Sequence, residues 1–274
     1  MDDASRPRKV AVATMVRFAY RSVFGRLGLI LDLGWIMLLV LLAVQILPDV
    51  LLPGRHGGAE TQFDALDYAQ ALISLLALTA FAVRWHQLLL VGDPHRQPTA
   101  AFFRGWSRFL IYGCIVYALI GSIAAVAGAT MSRMTGSTAT EALVAVAALI
   151  VGVLVALATV RCGLVFPAAA SGKPISLVAA WRLLRGNSWR LVLASILTTL
   201  PVTVAVTILA ATLLSLGAET GANLMADRPL GFTILAGLLA TISDILLVAL
   251  GASLLSGIYR ELVARRGNGG DNPA

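Results

Sequence analysis

The sequence predicts an all-α integral membrane protein: a six-transmembrane-helix bundle with short interfacial amphipathic helices, arranged as three helix-hairpin pseudo-repeats. Three observations carry this. The 274 residues are 58% hydrophobic and only 13% charged, whereas soluble domains carry roughly 25% charged residues. The mean hydropathy is +0.86. Finally, the apolar residues are gathered into six runs of the length a helix needs to cross a bilayer, about 20 residues.

The runs cover residues 27–48, 67–91, 108–131, 142–167, 190–216 and 230–258. Unpaired backbone groups are intolerable in lipid, so each run reads as a helix. The first exceeds the core of a signal peptide and reads as a retained span. Residues 1–266 form one membrane domain, and the polar stretch 267–274 reads as a disordered tail.

Orientation follows from the basic residues. Of the 21 Lys and Arg, 18 fall on one side of the alternating connections and only Arg55, Arg133 and Arg228 on the other. The positive-inside rule then puts both termini in the cytoplasm. The formal charge of +7 therefore points to anionic membrane lipid and not to nucleic acid.

Before each odd-numbered run stands an aromatic- and Arg-rich stretch: FAYRSVFGR at 18–26, AFFRGWSRF at 101–109 and AAWRLLRGNSWR at 179–190. Phe18 with Arg21, Phe103 with Arg104, and Trp181 with Arg182 and Arg185 mark them as helices lying in the interface. In the third, Leu177, Trp181 and Leu184 form an apolar stripe, Arg182 and Arg185 share another face, and Pro174 and Ser176 suit a helix start. Each even-numbered run ends in a matching patch, AVRW, TVRC and GIYR, with Arg84, Arg161 and Arg260. The expectation is three separate short helices near 14–25, 99–107 and 175–187, each leading into a span, an outer loop and a return span.

The stretch RCGLVFPAAASGKPISLVAAWRLLRGNSWRLVLASIL resembles the central segment of bacterial inner-membrane proteins of the YciC-like group. It also resembles the membrane domains attached to some glycerophosphoryl diester phosphodiesterases, and Arg84-Trp85-His86 is similar to a segment of related proteins. The resemblance covers about half the chain and implies a six-helix inner-membrane fold. The phosphodiesterase domain has no counterpart in these residues, so that activity is not implied.

Catalytic and cofactor signatures are missing: no GxSxG, HExxH, Walker-type loop or GxGxxG occurs. His56, His86 and His95 are scattered, and Cys114 and Cys162 form neither a CxxC pair nor a plausible disulfide in a reducing compartment. The sequence therefore predicts no enzyme, no metal and no cofactor. The expected role is a scaffold or accessory protein contacting anionic lipid, partner membrane proteins or further copies of itself.

Two groups of residues offer more. Arg84, Arg161 and Arg260 either snorkel separately to lipid phosphate or converge, with Asp32 as counter-ion, on an anionic head group. Asp32 falls about 9 Å along its helix from Arg26, and Asp244 about 24 Å before Arg260, close to the midplane. A midplane carboxylate costs about 2.5–3.5 kcal/mol on insertion scales. Asp244 with Ser243 thus reads either as a neutral interhelical hydrogen bond or as part of a transporter path, and Pro201 either as a simple kink or as the helix break of such a path. Thr198, Thr199 and Thr203 flank Pro201, and Gly121 with Ala125 and Ser253 with Gly257 are small-residue pairs suited to close helix packing.

Overall fold

A computed structural model describes residues 10–51, 65–92, 98–132, 138–219 and 230–267. Among these, all regular structure is helical: α1 (Val12–Phe24), α2 (Leu27–Leu51), α3 (Ala65–Leu90), α4 (Thr99–Ser132), α5 (Thr138–Cys162), α6 (Val165–Ala170), α7 (Leu177–Leu183), α8 (Ser188–Glu219) and α9 (Leu230–Gly267).

Five stretches are long and apolar enough to cross a membrane: Leu27–Pro48, Ala65–Leu90, Val146–Ala170, Ser188–Ser215 and Leu230–Val263. They match five of the six expected runs. The remaining run, 108–131, lies within α4, whose side chains from Ile123 onward fall outside the described residues. Large apolar side chains such as Leu31, Trp35, Leu39, Ile196 and Ile208 point outward, as on helices whose solvent is lipid rather than water.

Helix α9 is the hub. It is the most buried of the five and packs against α1, α2, α3, α6 and α8. Close approach depends on its small residues. A Cβ on Gly257 would lie 2.7 Å from Cδ1 of Phe18 in α1. Ser253, one turn earlier, accepts a 2.7 Å hydrogen bond from Nε1 of Trp85 in α3. This is the small-residue seam expected at Ser253 and Gly257.

Helix α1 is an amphipathic helix docked on its apolar stripe. Met15, Ala19, Ser22 and Val23 are buried at helical spacing. The chain turns at Gly25 and Arg26, where the Gly25 amide donates to the Arg21 carbonyl, before α2 begins. Asn187 of the α7–α8 connection and Arg190 in the first turn of α8 pin the start of α1. Asn187 Oδ1 accepts from the Val10 amide at 3.0 Å, and Arg190 Nη1 donates to the Val10 carbonyl at 3.1 Å.

The three expected interfacial helices are not alike. α1 and α7 are separate, but 99–107 is the first part of α4 and runs without interruption into the next apolar stretch. The expectation of three separate helices is corrected there. The two segments differ at their glycines: Gly186 takes φ +86° in the turn that follows α7, whereas Gly105 keeps helical backbone and is followed by Trp106. The stripe on α7 also differs. Ala180 and Leu184 are buried, Ser176 caps the helix by accepting from the Ala179 amide at 3.2 Å, and Trp181 faces outward. Gly267, expected to open the tail, is still helical, and 268–274 lie outside the described residues.

The break at Pro201 is absent. α8 is continuous through it, and Pro201 is exposed. Hydroxyls take up carbonyls on either side: Thr199 donates to Ser195 O and Thr203 to Thr199 O. The Tyr20 hydroxyl of α1 donates to Thr198 O at 3.0 Å. The carbonyl that a Pro201 amide would have met is that of Leu197, four residues earlier, and these bonds engage its neighbours rather than it.

Candidate functional site

The most regular feature of the molecule is a set of three arginine–aromatic stacks. Each of three helices ends a long apolar run with an arginine, and each arginine lies over a ring carried by the lead-in segment of another helix. Arg84 of α3 sits 4.1 Å from the ring centre of Phe102 in α4. Arg161 of α5 sits 4.4 Å from that of Trp181 in α7. Arg260 of α9 sits 4.9 Å from that of Phe18 in α1. The order closes on itself, since the last helix returns its arginine to the first.

A guanidinium over an aromatic face is held by the ring quadrupole, worth about 0.5–1 kcal/mol where exposed and about 2 or more where desolvated. Stacking engages the flat face of the guanidinium and leaves its in-plane N–H groups able to donate. At Arg161 one of these is used: Nε donates to Ser188 Oγ at 2.6 Å, and Ser188 donates in turn to Leu184 O. Arg84 and Arg161 are half-buried, and Arg260 is exposed.

The expected site residues are therefore distributed as follows. The three arginines each have a ring on a different helix, and Asp32 is exposed on α2. Phe18 and Trp181 are partners in the stacks. Phe103 is not: it points outward, and its neighbour Phe102, buried and stacked on Trp106, receives Arg84. Arg21, Arg104, Arg182 and Arg185 are exposed. Asp244 is half-buried, and Ser243 donates to Leu239 O of its own helix at 2.5 Å. Cys114 and Cys162 are free.

Sequence reasoning overlooked the polar strip that follows Arg84. Trp85, His86 and Gln87 are all buried. Trp85 donates to Ser253, His86 Nδ1 pairs with Ser256 Oγ at 2.7 Å, and Gln87 Nε2 donates to Ala170 O at 3.3 Å. Phe109 lies beside His86 and against Phe166. These bonds tie α3 to α9 and α6 at the same end as the stacks. The available signal was the run of three hydrogen-bonding side chains directly after an apolar stretch. Each needed a partner that only a neighbouring helix supplies.

Tyr20 was also overlooked. Burial pushes its hydroxyl above the usual phenol value, so it remains a donor to Thr198 O. A raised folded-state value means this contribution is present below about pH 10 and is lost as pH rises through the folded value. Among the described residues, no three His, Cys, Asp or Glu side chains gather closely enough to hold a metal ion. Compared with family models, with curated proteins and with solved structures, the chain has no match in any of the three.

Proposed function

We propose that the chain is a six-span inner-membrane protein with both termini cytoplasmic. In this reading it is a non-enzymatic scaffold or accessory protein whose arginine-bearing end holds anionic lipid head groups. The carrying observation is the closed set of stacks, Arg84 on Phe102, Arg161 on Trp181 and Arg260 on Phe18. Three long cationic side chains are positioned by rings at the ends of apolar helices. Cationic side chains near the ends of membrane helices suit lipid phosphates.

The same stacks support an even number of crossings. Phe18 precedes the first apolar helix and Arg260 stands near the end of the last, yet they lie 4.9 Å apart. An odd number of crossings would separate them by a hydrocarbon layer of about 30 Å. With five membrane-length stretches already present, α4 supplies the sixth. Each unit then comprises a lead-in segment, a span and a return span, and each return span clasps the next unit's lead-in. This agrees with the resemblance to YciC-like proteins. The alternative, a carrier using Asp244 and a break at Pro201, has less support, because α8 is continuous and Ser243 bonds within its own helix.

Reporter fusions test the topology. Those after Gly58, Thr138 and Thr220 should read periplasmic, and those after Pro98, Gly172 and Arg266 cytoplasmic. Native mass spectrometry tests the lipid reading. Detergent-purified protein should retain phosphatidylglycerol in preference to phosphatidylethanolamine, and R84Q/R161Q/R260Q should lose that preference while keeping its helical circular dichroism. Equal retention of both lipids by the wild-type protein would overturn the reading.

A further inference from the structure

A cleft runs along α7. It has a volume of about 400 Å³ and is lined by Ile175, Ser176, Val178, Ala179, Arg182 and Leu183. That volume lies within the roughly 300–1,000 Å³ typical of ligand sites. The lining residues recur at helical spacing, so the cleft occupies one face of α7. A second face, with Ala180 and Leu184, is buried in the core, and Trp181 carries the Arg161 stack. The cleft face is thus mostly apolar and has one cation, Arg182, which is exposed.

The surroundings decide what would fill such a groove. From Ala142 to Ala218 the sequence holds Arg161, Lys173, Arg182, Arg185 and Arg190 but no Asp or Glu. The segment thus has no acid of its own to neutralise Arg182. α7 also joins two membrane-length stretches, Val146–Ala170 and Ser188–Ser215. The cleft therefore opens where apolar helices end, at the level of phospholipid phosphates. A soluble phosphate would use Arg182 but would leave Ile175, Val178 and Leu183 uncovered. An amphiphile would use both.

We infer that the α7 cleft is a site for a single anionic glycerophospholipid, with its phosphate on Arg182 and its proximal chain along Ile175, Val178 and Leu183. Guanidinium meets phosphate through paired N–H donors, and the Ser176 hydroxyl, an acceptor toward the Ala179 amide, keeps its proton to donate. This rests on the proposal that the arginine-bearing end contacts anionic lipid, and it assigns that contact a seat.

The test is a phosphatidylglycerol titration of the full chain, read by native mass spectrometry, on wild type, R182Q, V178W and R17Q. Val178 is 59% exposed, so Trp fills the groove without disturbing the core or the charge. R182Q should weaken the Kd of the tightest-bound lipid about five-fold, the effect of one basic side chain near a membrane surface, and V178W should weaken it as well by filling the groove. R17Q removes an equal charge from α1 and should bind as wild type. Retained binding by either cleft variant, with wild type still preferring the anionic lipid, overturns the cleft and leaves the wider reading standing. No anionic preference in wild type overturns the wider reading itself. Glycerol 1-phosphate should not displace the lipid; displacement would mean a free phosphate ligand and would overturn the lipid assignment.

Discussion

The lead-in segments at the start of α4 and at α7 have nearly the same ingredients. Each has aromatics, two nearby arginines and one glycine, and each receives an arginine from an earlier helix. They fold differently. FFRGWSRF continues as one helix into α4, whereas WRLLRGNSW stops at Leu183, turns through Gly186 and restarts at Ser188. A glycine alone does not end a helix. It ends one where the following residues favour a turn and where a side chain, here buried Asn187, finds a partner outside the helix in the Val10 amide. The contact common to both segments is the guanidinium on the ring, so the stack does not depend on a separate helix.

The burial of the two rings gives the largest expected difference. Phe102 is buried and Trp181 is 43% exposed. Phe102→Ala should destabilise by about 3 kcal/mol or more, as for buried aromatics in other cores. Trp181→Ala should cost about 1 kcal/mol, mainly the lost stack. Thermal unfolding in detergent distinguishes them, and equal shifts would mean that the rings are packed alike.

The glycines provide the next comparison. Gly186→Ala puts a Cβ on a residue at φ +86° and should destabilise by more than about 1 kcal/mol. The nearest atoms to a Cβ at Gly105 would be Ala169 O at 3.4 Å and Ala170 O and Gln87 Nε2 at 3.6 Å. The tight contact offsets the helix propensity gained, about 1 kcal/mol, so the melting temperature should scarcely move. A large loss from Gly105→Ala would show that α4 approaches α6 more tightly than its geometry implies.

The smallest effect is expected at Ser253. Its replacement by Ala removes the acceptor of the Trp85 bond, and interhelical hydrogen bonds in membranes average about 0.6 kcal/mol. Ser253→Ala should therefore lower stability slightly and leave Arg84 on Phe102. A loss as large as that of Phe102→Ala would make the polar strip, not the stacks, the principal tie at this end.

Much of this molecule was legible in the chain. Hydropathy places spans because lipid punishes every uncovered polar group, so long apolar runs have only the helix available. The arginines that end those runs, and two of their three aromatic partners, could be picked out because interfacial chemistry repeats locally: aromatic, arginine, glycine. The choice of Phe102 over Phe103 could not be made. Adjacent residues on a helix face about 100° apart, and only the position of α3 decides which ring meets Arg84. Nor could sequence show that α8 runs unbroken through Pro201, or that Tyr20 from a distant part of the chain donates to Thr198 O nearby.

What the sequence determined by itself is the helical class and the apolar segments, both properties of single stretches read against a uniform solvent. The tertiary structure alone decided the pairing. It set α9 at the hub through Ser253, Ser256 and Gly257, buried Trp85, His86 and Gln87 against it, and returned Arg260 to Phe18. Within lipid, one apolar surface is as good as another. Which helices meet is therefore settled by small residues that permit close approach and by the few polar groups that must find a partner across the gap.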